Sequence, residues 1–131
     1  MDFNLLDTAT PASAGKKLQL RNPFTGEELA GVTITLLGID SSEYQQIERS
    51  ILNHRLERGN AIVTAEKLSS DLIDTLAAVT VGWEGIELDG KVVDYAPEKA
   101  RLLYSDKRFP WLMEQVEAFI RDRKNFVKPS P

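Results

Sequence analysis

Four carboxylates crowd into one short stretch, Glu84, Glu87, Asp89 and Asp94. Paired carboxylates can divide the roles of general acid and general base, and a cluster of them can gather the oxygens that calcium requires. The spacing supports neither chemistry. With Gly90 set at the glycine of a calcium-binding helix-loop-helix, Gly85 occupies the first ligand position and Ala96 the place of the bidentate glutamate, so two essential ligands are missing. A glycosidase needs its carboxylates on separate elements across a cleft, and one turn-rich stretch does not provide that. The four read as solvated turn charges. Gly82, Gly85 and Gly90 match neither a phosphate loop nor a dinucleotide fingerprint: no Lys-Ser or Lys-Thr pair follows them, and no strand-to-helix step encloses them. They read as turn residues. The chain has no cysteine and one histidine, His54, which removes disulfides, thiolate zinc sites and cysteine nucleophiles and leaves a histidine triad without its context. His54 reads as a helix residue that caps, pairs with Glu57 or touches a partner. No cofactor or metal is indicated. A small acid/base enzyme using Asp89, Glu87 and Arg101 or Arg108 stands as an alternative of another class.

Large apolar side chains are the remaining functional material. Trp83 and Trp111 read first as core, since a large aromatic fills a small core well, and second as interface anchors. The run Arg121 to Lys128 carries Arg121, Arg123, Lys124 and Lys128 against Asp122, with Phe126 interleaved. Complementing the dipole at a helix C-terminus explains that bias as well as a nucleic-acid footprint does. The whole chain has 20 acidic and 16 basic residues, a net charge of −4, so nucleic acid is not the expected partner. No apolar run approaches the ~18 residues of a membrane span, and no basic segment leads into an apolar one at the N-terminus. Membrane insertion and secretion are not expected, and an intracellular protein is.

These side chains need elements to position them. Leu, Ile, Val and Phe supply 37 of the 131 residues, above the roughly 20% floor for a folding chain, and the length suits one domain. Residues 1–15 have one apolar cluster, Phe3, Leu5 and Leu6, before a run of small and polar residues, and read as a mobile arm. Leu18 and Leu20, then Val32, Ile34 and Leu36, alternate with polar neighbours as half-buried strands do, with Pro23 and Gly26 in the connection. Asp40, Ser41 and Ser42 offer N-cap oxygens to a helix reaching about Arg58, with Tyr44, Ile47, Ile51 and Leu52 as its stripe and Gly59 and Asn60 at its end. A second helix, about Thr64 to Val81, places Leu68, Leu72, Leu76 and Val79 on a core face beside Ile73 and Ala77. Asp89-Gly90 predicts a hairpin within Gly82 to Asp94. Pro97 opens a short helix to about Tyr104. Ser105 or Asp106 then caps a last helix whose stripe is Phe109, Leu112, Val116, Phe119 and Ile120, until Lys128 and Pro129 end it. The expected fold is α+β, predominantly helical, with about four main helices and an N-terminal β-hairpin. Its parts are the arm 1–15, a single domain 16–128 and a C-terminal tail 129–131.

In order, the pieces are Pro23-Phe24-Thr25-Gly26-Glu27, the strand Val32 to Leu36, Gly38 with Asp40-Ser41, the helix from Tyr44 and Gly82-Trp83. Then come Asp89-Gly90-Lys91, Tyr95-Ala96-Pro97-Glu98, Leu102-Leu103, Trp111, Gln115-Val116, Phe119-Ile120, Asp122-Arg123 and Asn125-Phe126. Over roughly residues 16 to 127 this resembles the tail assembly chaperone family of long-tailed bacteriophages, specifically the short chaperone of an HK97-like siphophage. Each motif is a turn, cap or core position, and the resemblance lies in their order. Ala96 departs from the capping residue the family often has there, which weakens a cap without touching function. The resemblance implies a non-enzyme that binds the helical, apolar tape measure protein in the host cell cytoplasm, keeps it soluble until tube subunits polymerise around it, and is absent from the mature virion. It also implies a longer form made by translational frameshifting whose extension recruits the tail tube protein, this chain being the short form. Coverage of a long client implies oligomers. Candidate partner-binding residues are Phe3, Leu5 and Leu6 on the arm and Trp111, Phe119, Arg123 and Phe126 toward the C-terminus. A tail completion or head-tail connector subunit is the structural alternative.

Overall fold

The computed structural model describes residues 1–58 and 64–127. Alternation of apolar and polar residues lets β1 (Lys16–Arg21), β2 (Glu28–Leu36) and β3 (Thr80–Glu84) form one antiparallel sheet in the order β1-β2-β3. Leu18 pairs with Ile34 and Ile34 with Trp83, so one face is apolar; Gln19, Thr33 and Glu84 line up on the other. Because side chains alternate across a strand, this register fixes which face is covered. Helices cover the apolar one. Ile34, Leu36 and Trp83 share a continuous core with Leu76 and Val79 of α3 (Ala65–Val79) and with Leu112, Val116 and Ile120 of α5 (Pro110–Arg121). Between them in sequence lies α4 (Pro97–Ser105), whose Ala100 and Tyr104 are buried. α2 (Ser42–Glu57) is held at its start by Ser41, whose Oγ accepts from the Tyr44 amide at 3.2 Å, and Thr64 caps α3 in the same way through Lys67 at 3.1 Å. The fold is α+β with the N-terminal hairpin the alternation predicts.

Several boundaries differ from the sequence expectation, each for a local reason. The stretch read as an arm contains a 3-10 turn (Phe3–Leu6) and the short helix α1 (Ala9–Ala14). The Asp7 carboxylate accepts from the Ala9 and Thr10 amides, each at 3.0 Å, and Ala12 is buried, with its carbonyl accepting from the Gly38 amide. Any side chain at Gly38 would meet Ala12 and the Phe126 ring at 3.0–3.2 Å, so glycine permits this approach. α3 ends at Val79 rather than Val81, and the next residues form the third strand. The Thr80 hydroxyl donates to the Leu76 carbonyl and accepts from Tyr104, while the Tyr95 hydroxyl donates to the Thr80 carbonyl. These bonds satisfy the groups a helix end exposes. Gly82 is therefore a strand residue opposite Thr35, not a turn residue. α5 begins at Pro110, and Phe109 is its N-cap, because proline disfavours helical geometry in the residue before it. Neither Ser105 nor Asp106 caps α5; the Asp106 carboxylate instead accepts from the Arg108 amide at 3.0 Å. α5 stops at Arg121, and Asp122 caps a separate 3-10 turn, Arg123–Phe126. Leu52 and Leu68, placed on core stripes by spacing, are 54% and 51% exposed. The expectations for Gly59, Asn60, Lys128, Pro129 and the tail 129–131 lie outside the described residues.

Candidate functional site

Opposite Leu20, where the β1–β2 register shifts between Gln19 and Arg21, strand β2 carries Leu29 and Val32, and a second hairpin faces it. This hairpin, β4 (Glu87–Leu88) and β5 (Lys91–Val92), turns at Asp89 and Gly90. Both turn residues have positive φ, 53° and 78°, which matches the twist of flanking strands and is why an Asp-Gly pair favours the turn. Trp83 anchors the hairpin to the sheet: its Nε1 donates to the Val93 carbonyl at 2.8 Å, and its ring meets Tyr95 edge-on at 5.1 Å. Gly85 sits against the carbonyl of Gly31 so closely that a Cβ there would lie 2.3 Å from that oxygen. The two glycines thus bring the hairpin onto β2.

The α4–α5 connection closes the other side. Arg108 grips Asp106 through Nε and Nη2 at 3.1 and 2.8 Å and lies 5.1 Å over the Phe109 ring. Hydrogen bonding from Arg108 holds the Asp106 carboxyl below its ordinary range. Phe109 and Trp111 then face Leu29, Val32, Leu88 and Leu103 across an open groove of about 290 Å³ floored by Leu20, Ile86 and Leu112. Glu87 is the one ionisable side chain among the described residues lining it. Such a surface offers no nucleophile and no acid/base pair; its chemistry is the burial of apolar side chains brought by something else.

The sequence-derived candidates separate in space. Trp111 is half-buried in the groove, whereas Trp83 is core. Phe3, Leu5 and Leu6 are exposed, 78%, 77% and 57%, on the N-terminal turn; the helix that follows packs against α2 and the Arg123–Phe126 turn. Phe119 is half-buried and meets Phe126 edge-on at 5.4 Å. Phe126 itself is 4% exposed, so it is a core residue and not the surface residue expected. Arg123 pairs with Asp40 through two contacts, 2.6 and 3.0 Å, which ties the last turn to the loop before α2 and holds the Asp40 carboxyl low. Leu29, Leu88 and Phe109 were missed, because only the tertiary meeting of β2, the hairpin and α5 makes them neighbours. The pair of aromatics around Pro110 was the available signal.

The acidic stretch does not converge. Glu84 pairs with Lys17 at 3.3 Å, Asp89 lies 4.0 Å from Arg108, and Glu87 and Asp94 are exposed. Arg101 is bound to Asp74. His54 is exposed on α2. Among the described residues no group of three or more His, Cys, Asp or Glu could hold a metal ion, and no helix is long and apolar enough to cross a membrane. No family model, curated protein or solved structure matches the chain.

Proposed function

We propose that this chain is a tail assembly chaperone of a long-tailed bacteriophage, binding the tape measure protein through apolar contacts and keeping it soluble in the host cell cytoplasm until tail tube protein assembles around it. The observation that carries this reading is the Trp111 groove, an open trough with apolar walls and one ionisable side chain. A long helical client presents apolar residues at helical spacing, and a groove of this kind accepts such anchors in turn. Exposed Phe3, Leu5 and Leu6 add apolar surface of the same kind. On this reading several copies cover one client, a longer frameshifted form recruits tail tube protein, and none of it remains in the mature particle.

The test is co-expression with the adjacent tape measure gene product. The client is expected to stay soluble and to co-purify with the wild-type chain, and to lose both properties with Trp111→Ser. Equal precipitation of the client with and without this chain would remove the proposal. Recovery of the chain from purified mature particles would favour a connector subunit instead.

A further inference from the structure

β1 is the outermost strand of its sheet, so one of its edges has no neighbouring strand. Main-chain groups in an antiparallel ladder point alternately toward the partner strand and away from it. Asn22 marks the parity, because its amide donates to the Glu27 carbonyl across the hairpin at 2.8 Å. The irregularity in the pairing belongs to β2, which runs from Thr33 to Glu28 while β1 advances only from Gln19 to Arg21. β1 therefore keeps its alternation, and Lys17, Gln19 and Arg21 turn their amides and carbonyls to the open edge. At Arg21 that edge is filled from α5: the Arg21 amide donates to Gln115 Oε1 at 3.0 Å, and Gln115 Nε2 donates to the Arg21 carbonyl at 2.9 Å. At Lys17 and Gln19 no other segment among the described residues bonds the main chain on that side.

A trough of about 550 Å³ runs beside this edge, between β1 and the flank of α5. Leu18, Pro23, Trp111, Ala118 and Phe119 supply its apolar lining. The Gln19 side chain is committed elsewhere, to the Leu29 and Val32 carbonyls of β2 at 2.6 and 3.2 Å. A carboxamide carries a donor and an acceptor on one planar group, as a peptide unit does, so Gln115 stands on Arg21 where the backbone of an adjacent strand would stand. This fixes the conformation of an occupant. A helix has spent its amides on its own carbonyls, whereas an extended chain brings them free. Charge decides against a second copy of β1: Lys16, Lys17 and Arg21 place three cations on a strand of six residues, and like charges set across a strand pair destabilise it.

We infer that the outer edge of β1 takes up an extended segment of a partner polypeptide, alternating apolar and polar residues, as an added antiparallel strand, and that Gln115 holds its place in the free chain. Residues of the segment opposite Leu18 and Leu20 share their face and meet the flank of α5. Those opposite Lys17, Gln19 and Arg21 make the ladder bonds and replace the Gln115 carboxamide. The inference goes beyond the chaperone reading and does not rest on it, since the hairpin groove accepts helical anchors and this edge accepts extended chain.

The experiment uses the full chain and a labelled synthetic peptide of alternating valine and serine, titrated by fluorescence anisotropy and by amide hydrogen exchange read by NMR. In the free chain the Lys17 and Gln19 amides exchange fast and the Leu18 amide slowly; at saturation the first two slow by about tenfold or more. N-methylation of the serine amides, which face β1, weakens binding about tenfold, whereas N-methylation of the valine amides leaves it unchanged. Gln115→Ala withdraws the competing carboxamide and tightens binding about threefold with unchanged circular dichroism. Lys17→Pro removes an edge donor without taking a bond from the β1–β2 ladder and weakens binding. No binding, equal binding of the two methylated peptides, Lys17 and Gln19 amides that stay fast at saturation, or weaker binding to Gln115→Ala overturns the inference. So does protection of these amides that grows with chain concentration in the absence of peptide, which would assign the edge to a second copy. Should Gln115→Ala fail to fold, the methylated pair and the exchange pattern decide on the wild-type chain.

Discussion

Replacing Gly85 by alanine probes the contact that builds the Trp111 groove. Two costs add at this position. The first is conformational: φ is +79°, and a Cβ in the left-handed region costs about 1–2 kcal/mol. The second is steric, because the new carbon would stand 2.3 Å from the Gly31 carbonyl oxygen and 3.2 Å from the Val32 Cα. Both are backbone atoms, so no side chain can rotate away; the hairpin and β2 must separate by about 1 Å, and overpacking of this kind costs about 1–3 kcal/mol. The sum, about 2–5 kcal/mol, is a large fraction of the ~5–15 kcal/mol that holds a typical domain together. Gly90→Ala is the internal control. Its φ is +78° with nothing within 4 Å of the new carbon, so it bears only the first cost. Urea unfolding followed by tryptophan fluorescence, with unchanged m values, gives both numbers. Gly85→Ala should be the less stable by about 1–3 kcal/mol and should weaken client binding, since Ile86 and Leu88 follow Gly85 into the groove. Equal stability of the two variants, within about 0.5 kcal/mol, would refute the close approach of the hairpin to β2.

Three further outcomes follow from named contacts. Burial raises the Asp71 carboxyl, but hydrogen bonds from Arg55 and Lys67 outweigh it and hold the group below its ordinary 3.8; its stabilisation is therefore complete above about pH 4 and lost as pH falls through the lower folded value. Thermal melts between about pH 4 and pH 2 should fall more steeply for the wild type than for Asp71→Asn, and parallel slopes would contradict the ion pair. Trp83→Phe removes the bond to the Val93 carbonyl and should cost about 1–3 kcal/mol while leaving Trp111 as the sole tryptophan; its emission should shift blue when a client helix is added, and an unchanged spectrum at saturation would place the client elsewhere. Phe126→Ala should cost about 3–5 kcal/mol by calorimetry, against less than about 0.5 kcal/mol for exposed Phe3→Ser; a near-neutral Phe126→Ala would restore that residue to the surface.

Periodicity carried the parts of the fold whose partners are close in sequence. Val32, Ile34 and Leu36 name an inner face before any neighbour is known, and Leu112, Val116 and Ile120 name a helix stripe, because both periods are properties of the isolated backbone. Thr80 to Glu84 could not be read in the same way. Thr80 and Val81 look like the last residues of the α3 stripe and Gly82 like the start of a turn, and only pairing with β2, 44 positions earlier at Leu36 and Thr80, makes the segment a strand. Ala12 failed for a different reason: a small side chain contributes little to any hydrophobic pattern, yet it is what fits against Gly38. The candidate residues show the same division. Trp111 was visible as a large aromatic, but its groove comes from Leu29, Leu88 and Phe109, which belong to three separate segments. Phe126 shared every local feature of an exposed anchor and is core because α1, invisible to composition, covers it.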